Sequence, residues 1–223
     1  MNVVPDKWLI GKSFPADARD FGAEPDLTDH KLAYVVERCR ERDVLDIGCV
    51  NHDPASYQSR YWLHGAIKRV ARTVVGVDLY DEGIEYLRAR GFDVRHGDAQ
   101  QLELGQDFDV VVGGDVIEHL ANLDGFLRSC LRHLRPGGSI VLSTPNPWYW
   151  RYPVKAALFG RVTGNPEHAL WLCPVTLGQL ASRYGLETTE IEFGSRYRRD
   201  RLMPLPKGLR HTSFHATLRR RPV

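Results

Sequence analysis

Two short apolar runs, each containing or ending in a glycine or an acid, limit most strongly what this chain can fold into. They are residues 44–50, with the sequence VLDIGCV, and residues 74–78, with the sequence VVGVD. Continuous apolar runs of this length are typical of strands that are covered on both faces of a parallel sheet. Because open α/β sheets bind ligands outside the carboxyl ends of their strands, Gly48 and Asp78 are predicted to lie at a nucleoside-binding edge.

Strand-like and helix-like segments alternate through the rest of the chain. A short strand is predicted from Phe92 to residues 96–99, another strand over residues 108–115, and a turn with a fifth strand over residues 135–144. Helices are predicted over residues 26–41, 54–72, 81–90, 123–134 and 174–184, and an antiparallel strand pair over residues 187–193 and 214–218. Since parallel neighbours need crossover helices, this alternation predicts an α/β fold with a doubly wound, mostly parallel sheet and helices on both faces.

The five strand motifs, in this order and spacing, resemble those of the class I S-adenosylmethionine-dependent methyltransferases over roughly residues 43–145. The likeness is to small bacterial O-methyltransferases of the ubiquinone-biosynthesis and glycan-cluster type. It implies a Rossmann-like sheet of seven strands, S-adenosylmethionine as the cofactor and methyl transfer as the reaction. We expect a single domain, divided into an N-terminal arm and helix, a cofactor-binding core, an acceptor-side insertion after strand five, and a C-terminal helix with antiparallel strands. These parts are residues 1–43, 44–145, 146–173 and 174–223.

The predicted cofactor residues follow strands one to four. Gly48 lets the backbone approach a ligand closely, and the carboxylate of Asp78 can accept hydrogen bonds from both ribose hydroxyls. The family pattern after strand one is Asp-x-Gly-x-Gly-x-Gly, whereas residues 46–53 read DIGCVNHD, so the second and third glycines are replaced. Capping of a helix or turn is the alternative role for Asp78 and Asp98. The resemblance implies a cofactor-binding set of Asp46, Gly48, Cys49, Asp78, Leu79, Asp98, Ala99 and Asp115.

The segment DVIEH at residues 115–119 carries the predicted catalytic groups. Asp115, Glu118 and His119 have the spacing of one helical turn, and the segment resembles the Glu-x-x-Glu-His stretch of ubiquinone-biosynthesis O-methyltransferases. Methyl transfer to an alcohol needs a base of near-neutral pKa, and His119 is the first candidate, with Asp115 beside it. Two alternatives stay open. His119 could only hydrogen-bond within the strand–helix junction, or the three residues could hold a divalent metal that acidifies the acceptor hydroxyl.

The tract over residues 145–173 is rich in Trp, Tyr, Pro and Gly, which predicts a lid or a substrate wall. Its segment NPEHALW, residues 165–171, resembles that of small bacterial methyltransferases whose acceptors are sugars, glycans or specialised metabolites. His168 is therefore a second candidate base, with a hydrogen-bonded loop histidine as the alternative. The chain lacks an Asn/Asp-Pro-Pro-aromatic stretch after strand four, which favours an oxygen acceptor over a nucleobase nitrogen.

Composition narrows the choice of partners and location. The formal net charge is +2, yet residues 196–223 carry nine Lys or Arg against one Asp, so an anionic partner is a hypothesis and a solvated basic face is the alternative. A nucleic-acid substrate is disfavoured, because few aromatic residues lie among these arginines. The four cysteines form no C-x-x-C pair, no apolar stretch has the length of a membrane span, and residues 1–7 lack a signal-peptide apolar region. We expect a cytoplasmic protein with a small-molecule or glycan-type acceptor, and homodimerisation is compatible with this.

Three other functions are compatible with such a sheet. The first is methylation of nitrogen or of RNA, and the second is nucleoside binding without turnover. A nicotinamide-dependent oxidoreductase is the third, but it should show G-x-G-x-x-G opening a helix after strand one. Residues 48–53, GCVNHD, do not show that pattern.

Overall fold

The computed structural model describes residues 23–51, 54–160, 165–195 and 198–222. The described residues do not include positions 1–22 of the predicted N-terminal arm, nor residues 52–53 of the loop after the first strand.

The described residues form a seven-stranded sheet with the strand order β3-β2-β1-β4-β5-β7-β6. The four pairs among β1 to β5 are parallel, and β7 runs antiparallel to both β5 and β6. This confirms the predicted fold, including the antiparallel pair at its end. The strands are β1 Asp43–Ile47, β2 Thr73–Asp78, β3 Val94–His96, β4 Phe108–Gly114, β5 Leu134–Pro145, β6 Leu186–Gly194 and β7 Ser213–Arg220.

Helices lie before β1 and between most successive strands. They are α1 His30–Cys39, α2 Leu63–Val70, α3 Asp81–Arg88, α4 Leu123–Arg132, α5 Arg151–Phe159, α6 Pro174–Ser182, α7 Arg198–Arg201 and α8 Lys207–Arg210. The helix predicted over residues 54–72 is instead a 3₁₀ turn, Pro54–Gln58, followed by α2. Helix α1 begins at His30, within the predicted range 26–41, because the Asp29 carboxylate accepts hydrogen bonds from the backbone N–H groups of Lys31 and Leu32 at 3.0 and 3.1 Å.

Helix α5 was not predicted from the sequence. Its third residue is Pro153, which reads as a helix breaker, but a proline in the first turn removes an N–H that has no intrahelical partner anyway. The helix ends at Gly160, whose φ of 63° is the left-handed conformation that glycine adopts most easily.

Helices cover both faces of the sheet. On one face, Val44, Val110 and Val141 pack with residues of α1 and α2 such as Val35 and Ile67. On the other face, the alternate strand positions pack with residues of α4 and α6, among them Leu45, Val111, Leu142, Phe126 and Leu177. Because successive strand side chains point to opposite faces, nearly continuous apolar strands are what such a two-sided core requires.

The amino ends of the central strands are joined by a network of ion pairs. The Asp43 carboxylate accepts hydrogen bonds from Arg72 at 2.8 Å and from Arg135 at 2.6 Å. Both arginines also reach Asp109 at 3.0 Å, which ties β1, β4, β5 and the residue before β2 together. The hydrogen bonds from Arg72 first, and then those from Arg135, hold the pKa of Asp43 well below its usual range.

We expect Asp43→Asn to lower the free energy of unfolding at pH 7 by about 1–2 kcal/mol, since it removes one charge from a partly buried network. A carboxylate with a lowered folded-state pKa stabilises the protein above about pH 4, and that stabilisation is lost as the pH falls further. The difference between wild type and variant, measured by urea unfolding, should therefore shrink from about pH 5 to about pH 2. Asp93→Asn is the control, because Asp93 pairs with Arg95 while its side chain is 52% exposed. Equal losses in both variants would contradict a special role for the network.

Candidate active site

The carboxyl ends of β1 to β4 meet at one edge of the sheet. The register pairs Ile47 with both Val77 and Gly113, and Asp78 with His96. Strand order reverses between β1 and β4, which is the switch point where open α/β sheets form their ligand crevice. The predicted cofactor residues lie at the carboxyl ends of these four strands or in the segments that follow them, so the fold carries them to this edge.

Gly48 turns the chain sharply after β1. Its φ is +76°, and its N–H donates to the carbonyl of Val77 at 2.8 Å. A Cβ at this position would lie 2.3 Å from Cγ2 of Val116, so a larger residue would clash with the segment after β4. Its backbone would also be strained at this φ. Glycine here lets the two loops that flank the switch point pack together.

Asp46 lies below this turn and is 2% exposed. Its Oδ2 is 2.8 Å from Nδ1 of His64, a buried histidine on α2 that sequence reasoning did not identify. Nε2 of His64 is buried and has no hydrogen-bond partner among the described residues. The pair fixes the strand end to α2, and the predicted contact of Asp46 with the amino-acid tail of the cofactor remains a prediction.

Asp78 organises the loops at the end of β2. Its Oδ2 accepts a hydrogen bond from Val50 N at 2.9 Å, and its Oδ1 accepts from Leu79 N at 2.8 Å and from Tyr80 N at 3.1 Å. The alternative capping role is therefore present, although the N-cap residue of α3 is Tyr80. Because three backbone N–H groups already donate to this carboxylate, it can accept fewer further hydrogen bonds from the two ribose hydroxyls than a free carboxylate could.

The surroundings of Asp78 fit a nucleoside. Leu79 is 58% exposed and offers an apolar surface beside the carboxylate. Asp98, after β3, accepts hydrogen bonds from the backbone and side-chain amides of Gln100 at 2.8 and 3.2 Å, and Ala99 is buried next to it. A partly exposed carboxylate, an apolar platform and a fixed turn are the groups that a ribose and an adenine would need.

Next to this edge lies a pocket of about 690 Å³. One wall comes from the start of α1 and the segment after β4, with Lys31, Asp115, Glu118 and His119. The rest of the lining comes from the predicted insertion and the C-terminal segments, with Tyr149, Arg151, Tyr152, Lys155, His168, Ser195 and Arg199. The volume is within the usual range for a site that takes a small molecule.

Asp115 occupies a strained conformation at the pocket mouth. Its φ is 58°, which is uncommon for a residue other than glycine. Its carboxylate accepts hydrogen bonds from Lys31 Nζ at 2.6 Å and from Ser143 Oγ at 2.7 Å, and its N–H donates to the Ser143 carbonyl at 3.0 Å. Burial by itself would raise the pKa of Asp115, but Lys31 and Ser143 together lower that pKa to about 2. Asp115 is thus a permanent negative charge and a weak base.

Glu118 is buried directly behind the pocket surface and is 1% exposed. Its carboxylate accepts a hydrogen bond from Thr144 Oγ1 at 3.0 Å, and its backbone carbonyl accepts from Ala169 N at 2.8 Å. Burial first, and then the negative charge of Asp115, raise the pKa of Glu118 to about 7. A carboxyl group with this pKa can gain and lose a proton near neutral pH.

The structure brings His119 and His168 together, 49 positions apart in the chain. Their rings meet edge to face with centroids 4.7 Å apart, and burial first, then the proximity of His119, lower the pKa of His168. Glu118, His119 and His168 each offer a ligand atom within 4.8 Å of the others, a set that could hold a metal ion after a small adjustment. The set predicted from the sequence had Asp115 in the place that the structure gives to His168.

Several groups around the pocket had no local signal in the sequence. Arg151 and Lys155 lie on the unpredicted helix α5, and the buried Asp200 of α7 accepts hydrogen bonds from Tyr149 and Ser195. The composition of the C-terminal segment showed that it is basic. It could not show that Arg199 lines a pocket, because this depends on how α7 packs.

A sequence profile described as "Methyltransferase domain" matches residues 23–191. A probable S-adenosylmethionine-dependent methyltransferase of Mycolicibacterium smegmatis is 39% identical over 167 residues, which cover 72% of this chain and 59% of that protein. The ubiquinone biosynthesis O-methyltransferase of Agrobacterium fabrum is 37% identical over 110 residues, which cover 46% of this chain and 40% of that protein. The chain thus spans less than two thirds of the length of these curated relatives.

Among solved structures, a SAM-dependent methyltransferase from Archaeoglobus fulgidus matches with a TM-score of 0.64 at 19% identity, covering 86% of this chain and 92% of its own. At that identity the likeness concerns the fold. No helix within the described residues is long and apolar enough to cross a bilayer. The profile match extends over most of the chain, and its relatives are named for their cofactor, so the predicted family and cofactor are confirmed: the chain belongs to the methyltransferase-domain family of S-adenosylmethionine-dependent enzymes.

Proposed function

We propose that this protein transfers the methyl group of S-adenosylmethionine to a hydroxyl of a small, sugar-like acceptor that binds in the pocket beside Asp115. One observation carries the proposal: a buried carboxyl group of near-neutral pKa, Glu118, lies with two imidazoles at the junction of the cofactor edge and the pocket. The name of the Agrobacterium relative, an O-methyltransferase, supports an oxygen acceptor.

In this proposal, Asp78 and Asp98 hold the nucleoside by hydrogen bonds, Leu79 and Ala99 border its base, and the turn at Gly48 and Cys49 follows its amino-acid tail. Bound S-adenosylmethionine supplies an electrophilic methyl group on a sulfonium. Asp115 keeps its negative charge between the cofactor site and the acceptor pocket, and Lys31 fixes the position of that charge. The chain itself has to orient the acceptor oxygen and remove its proton.

His119 is the residue we assign to proton removal. It is exposed, whereas Glu118 is buried behind it, so the imidazole can meet an acceptor hydroxyl that the carboxylate cannot reach. An ionised Glu118 then stabilises the imidazolium that forms, as a carboxylate behind a catalytic histidine does in other enzymes. His168 packs edge to face on His119 and restricts its orientation.

The cofactor assignment predicts that Asp78→Asn weakens S-adenosylhomocysteine binding by more than about tenfold, the effect of losing a charge-assisted hydrogen bond. Calorimetry measures it, and Asp81→Asn is the matched control, because Asp81 is 77% exposed and three residues further on. Asp78 also holds three backbone amides, so a second ligand that lacks the ribose 2′-hydroxyl separates the two roles. The missing hydroxyl should weaken binding to the wild type and have little further effect on the variant. Equal losses in both proteins would refute a ribose contact.

The catalytic assignment predicts that His119→Ala lowers kcat by a factor of about 10² to 10⁴, while cofactor affinity hardly changes. In the wild type, kcat/KM should rise as the pH increases through about 7, because Glu118 is then converted to the anion that stabilises the imidazolium. Glu118→Gln should lower kcat and shift the midpoint of this rise, since His119 must still be unprotonated to act as the base. Glu103→Gln, which neutralises a carboxylate that is 72% exposed, is the control and should retain the wild-type pH profile. A normal profile in Glu118→Gln would show that another group titrates.

A metal held by Glu118, His119 and His168 is the second mechanism that the geometry favours. Under the proposal of general-base catalysis, we expect turnover to change less than about twofold after EDTA treatment and desalting. Loss of turnover that a divalent ion restores would contradict it. In that case His168→Ala should lose metal content, measured by mass spectrometry, as fully as His119→Ala does.

A further inference from the structure

We propose that the acceptor carries an anionic oxygen group, a carboxylate or a phosphate, and that Arg151, Lys155 and Arg199 bind this group in the pocket. The inference rests on the proposed function for where the acceptor lies. It adds the chemical class of the acceptor and a recognition site for it.

Helix α5 presents its cations to the pocket on one face. Arg151, Tyr152 and Lys155 all line the pocket, and positions four residues apart lie one above the other on a helix. Val154 and Leu158, three and seven positions after Arg151, border the same face and are 42% and 70% exposed. The helix thus brings two cations to the pocket from a face that is also partly open to solvent.

The buried carboxylate of Asp200 connects α7 to the start of α5. Asp200 of α7 is 1% exposed, and its Oδ2 accepts hydrogen bonds from Tyr149 and Ser195 hydroxyls, both at 3.0 Å. Tyr149 lies just before α5, so these bonds hold α7 against the start of α5. Arg199, the neighbour of Asp200 in the chain, is thereby brought to the same pocket as Arg151.

The guanidinium of Arg151 is positioned without being fully bonded. Its Nη2 is 3.9 Å from Asp200 Oδ1, too long for the charge-assisted hydrogen bond that a saturated pair would make. Its Nε is buried and has no hydrogen-bond partner among the described residues. A buried N–H without a partner is costly, and an oxyanion placed against the guanidinium would satisfy it.

The two walls of the pocket differ in how their charges are matched. On the α1 wall, Lys31 donates directly to Asp115 at 2.6 Å, so the cation there is neutralised by its neighbour. On the α5 wall, Arg151 has its counter-charge, Asp200, at 3.9 Å, and both Arg151 and Lys155 line the pocket. Arginine offers a planar fork that matches carboxylate and phosphate oxygens, and lysine adds a point charge, which is the usual combination for such anions.

Direct binding of inorganic phosphate and of acetate to the protein saturated with S-adenosylhomocysteine tests the site. The double variant Arg151→Gln/Lys155→Gln should bind the better of the two anions at least about tenfold more weakly, the effect of losing about one charge-assisted contact. The control Lys68→Gln/Arg128→Gln removes the same charge from α2 and α4, away from the pocket, and should stay within about twofold of the wild type. Phosphate binding is followed by ³¹P line broadening and acetate binding by calorimetry.

Methyl transfer to matched acceptors then tests the substrate class. Glucose, glucose 6-phosphate and glucuronate differ in the anionic group, and release of S-adenosylhomocysteine reports turnover. A charged member should be the better acceptor in the wild type, and its advantage should disappear in the double variant. Preference for phosphate over acetate assigns a phosphorylated acceptor, and the reverse preference assigns a carboxylate.

Three results would overturn the inference: no binding of either anion by the wild type, equal anion binding by wild type and double variant, or methylation of glucose as efficient as that of its charged partners. Failure of the proposed function has a different signature. S-adenosylhomocysteine binding does not involve Arg151 or Lys155, so a wild type that fails to bind it contradicts the proposed function, while the phosphate measurement still decides whether the anion site exists.

Discussion

The contact of Asp115 with Lys31 and Ser143 joins the start of α1 to the carboxyl ends of the paired strands β4 and β5. Lys31 belongs to α1, Asp115 follows β4, and Ser143 is near the end of β5. Together these bonds hold Asp115 in the left-handed conformation that turns the chain into the 3₁₀ turn Ile117–His119. That turn buries Glu118 and leaves His119 exposed. The charge that Lys31 keeps on Asp115 also contributes to the raised pKa of Glu118, after burial. One ion pair thus influences both the path of the catalytic segment and its protonation.

Charged residues are arranged differently at the amino ends and at the carboxyl ends of the strands. At the amino ends of the strands, Asp43, Arg72, Asp109 and Arg135 form a network in which each charge faces an opposite one at 3.0 Å or less. At the carboxyl ends, the strained backbone of Asp115 and the incompletely bonded guanidinium of Arg151 border the pocket. Such features lower stability, and they persist only where the remaining structure holds them in place. The ion-pair network at the amino ends supplies that support, and it lies away from the residues that line the pocket.

Local signals in the sequence were sufficient for the sheet and insufficient for the pocket. Strands β1 and β4 could be predicted because burial on both faces selects uninterrupted apolar residues, and α1 because Asp29 stands just before its apolar face. Helix α5 was missed because the tract around it is rich in Trp, Tyr, Pro and Gly, and because its own proline is tolerated only in the first turn. The pairing of Asp46 with His64, the edge-to-face contact of His119 with His168, and the tether at Asp200 join residues 18, 49 and about 50 positions apart. No periodicity reports such contacts, since they depend on how finished elements pack.

The loop after β1 shows how the chain compensates for the glycines that its family pattern would place there. Cys49, Val50 and Asn51 stand in this loop, and among the described residues the left-handed region outside glycine is occupied by Glu41 and Asp115, so none of the three needs a glycine-like conformation. The path of the loop is fixed by side chains instead. Asp78 accepts from Val50 N at 2.9 Å, and the buried hydroxyl of Tyr57 bonds to both N and O of Asn51 at 3.2 and 2.9 Å. A flexible glycine loop could adapt to its ligand on binding, whereas this one is held by a tyrosine that packs on Trp62 and Tyr86. The loss of glycine therefore removes conformational freedom in advance, and the same Asp78 carboxylate that is assigned to the ribose helps to hold the loop in which the rest of the cofactor would lie.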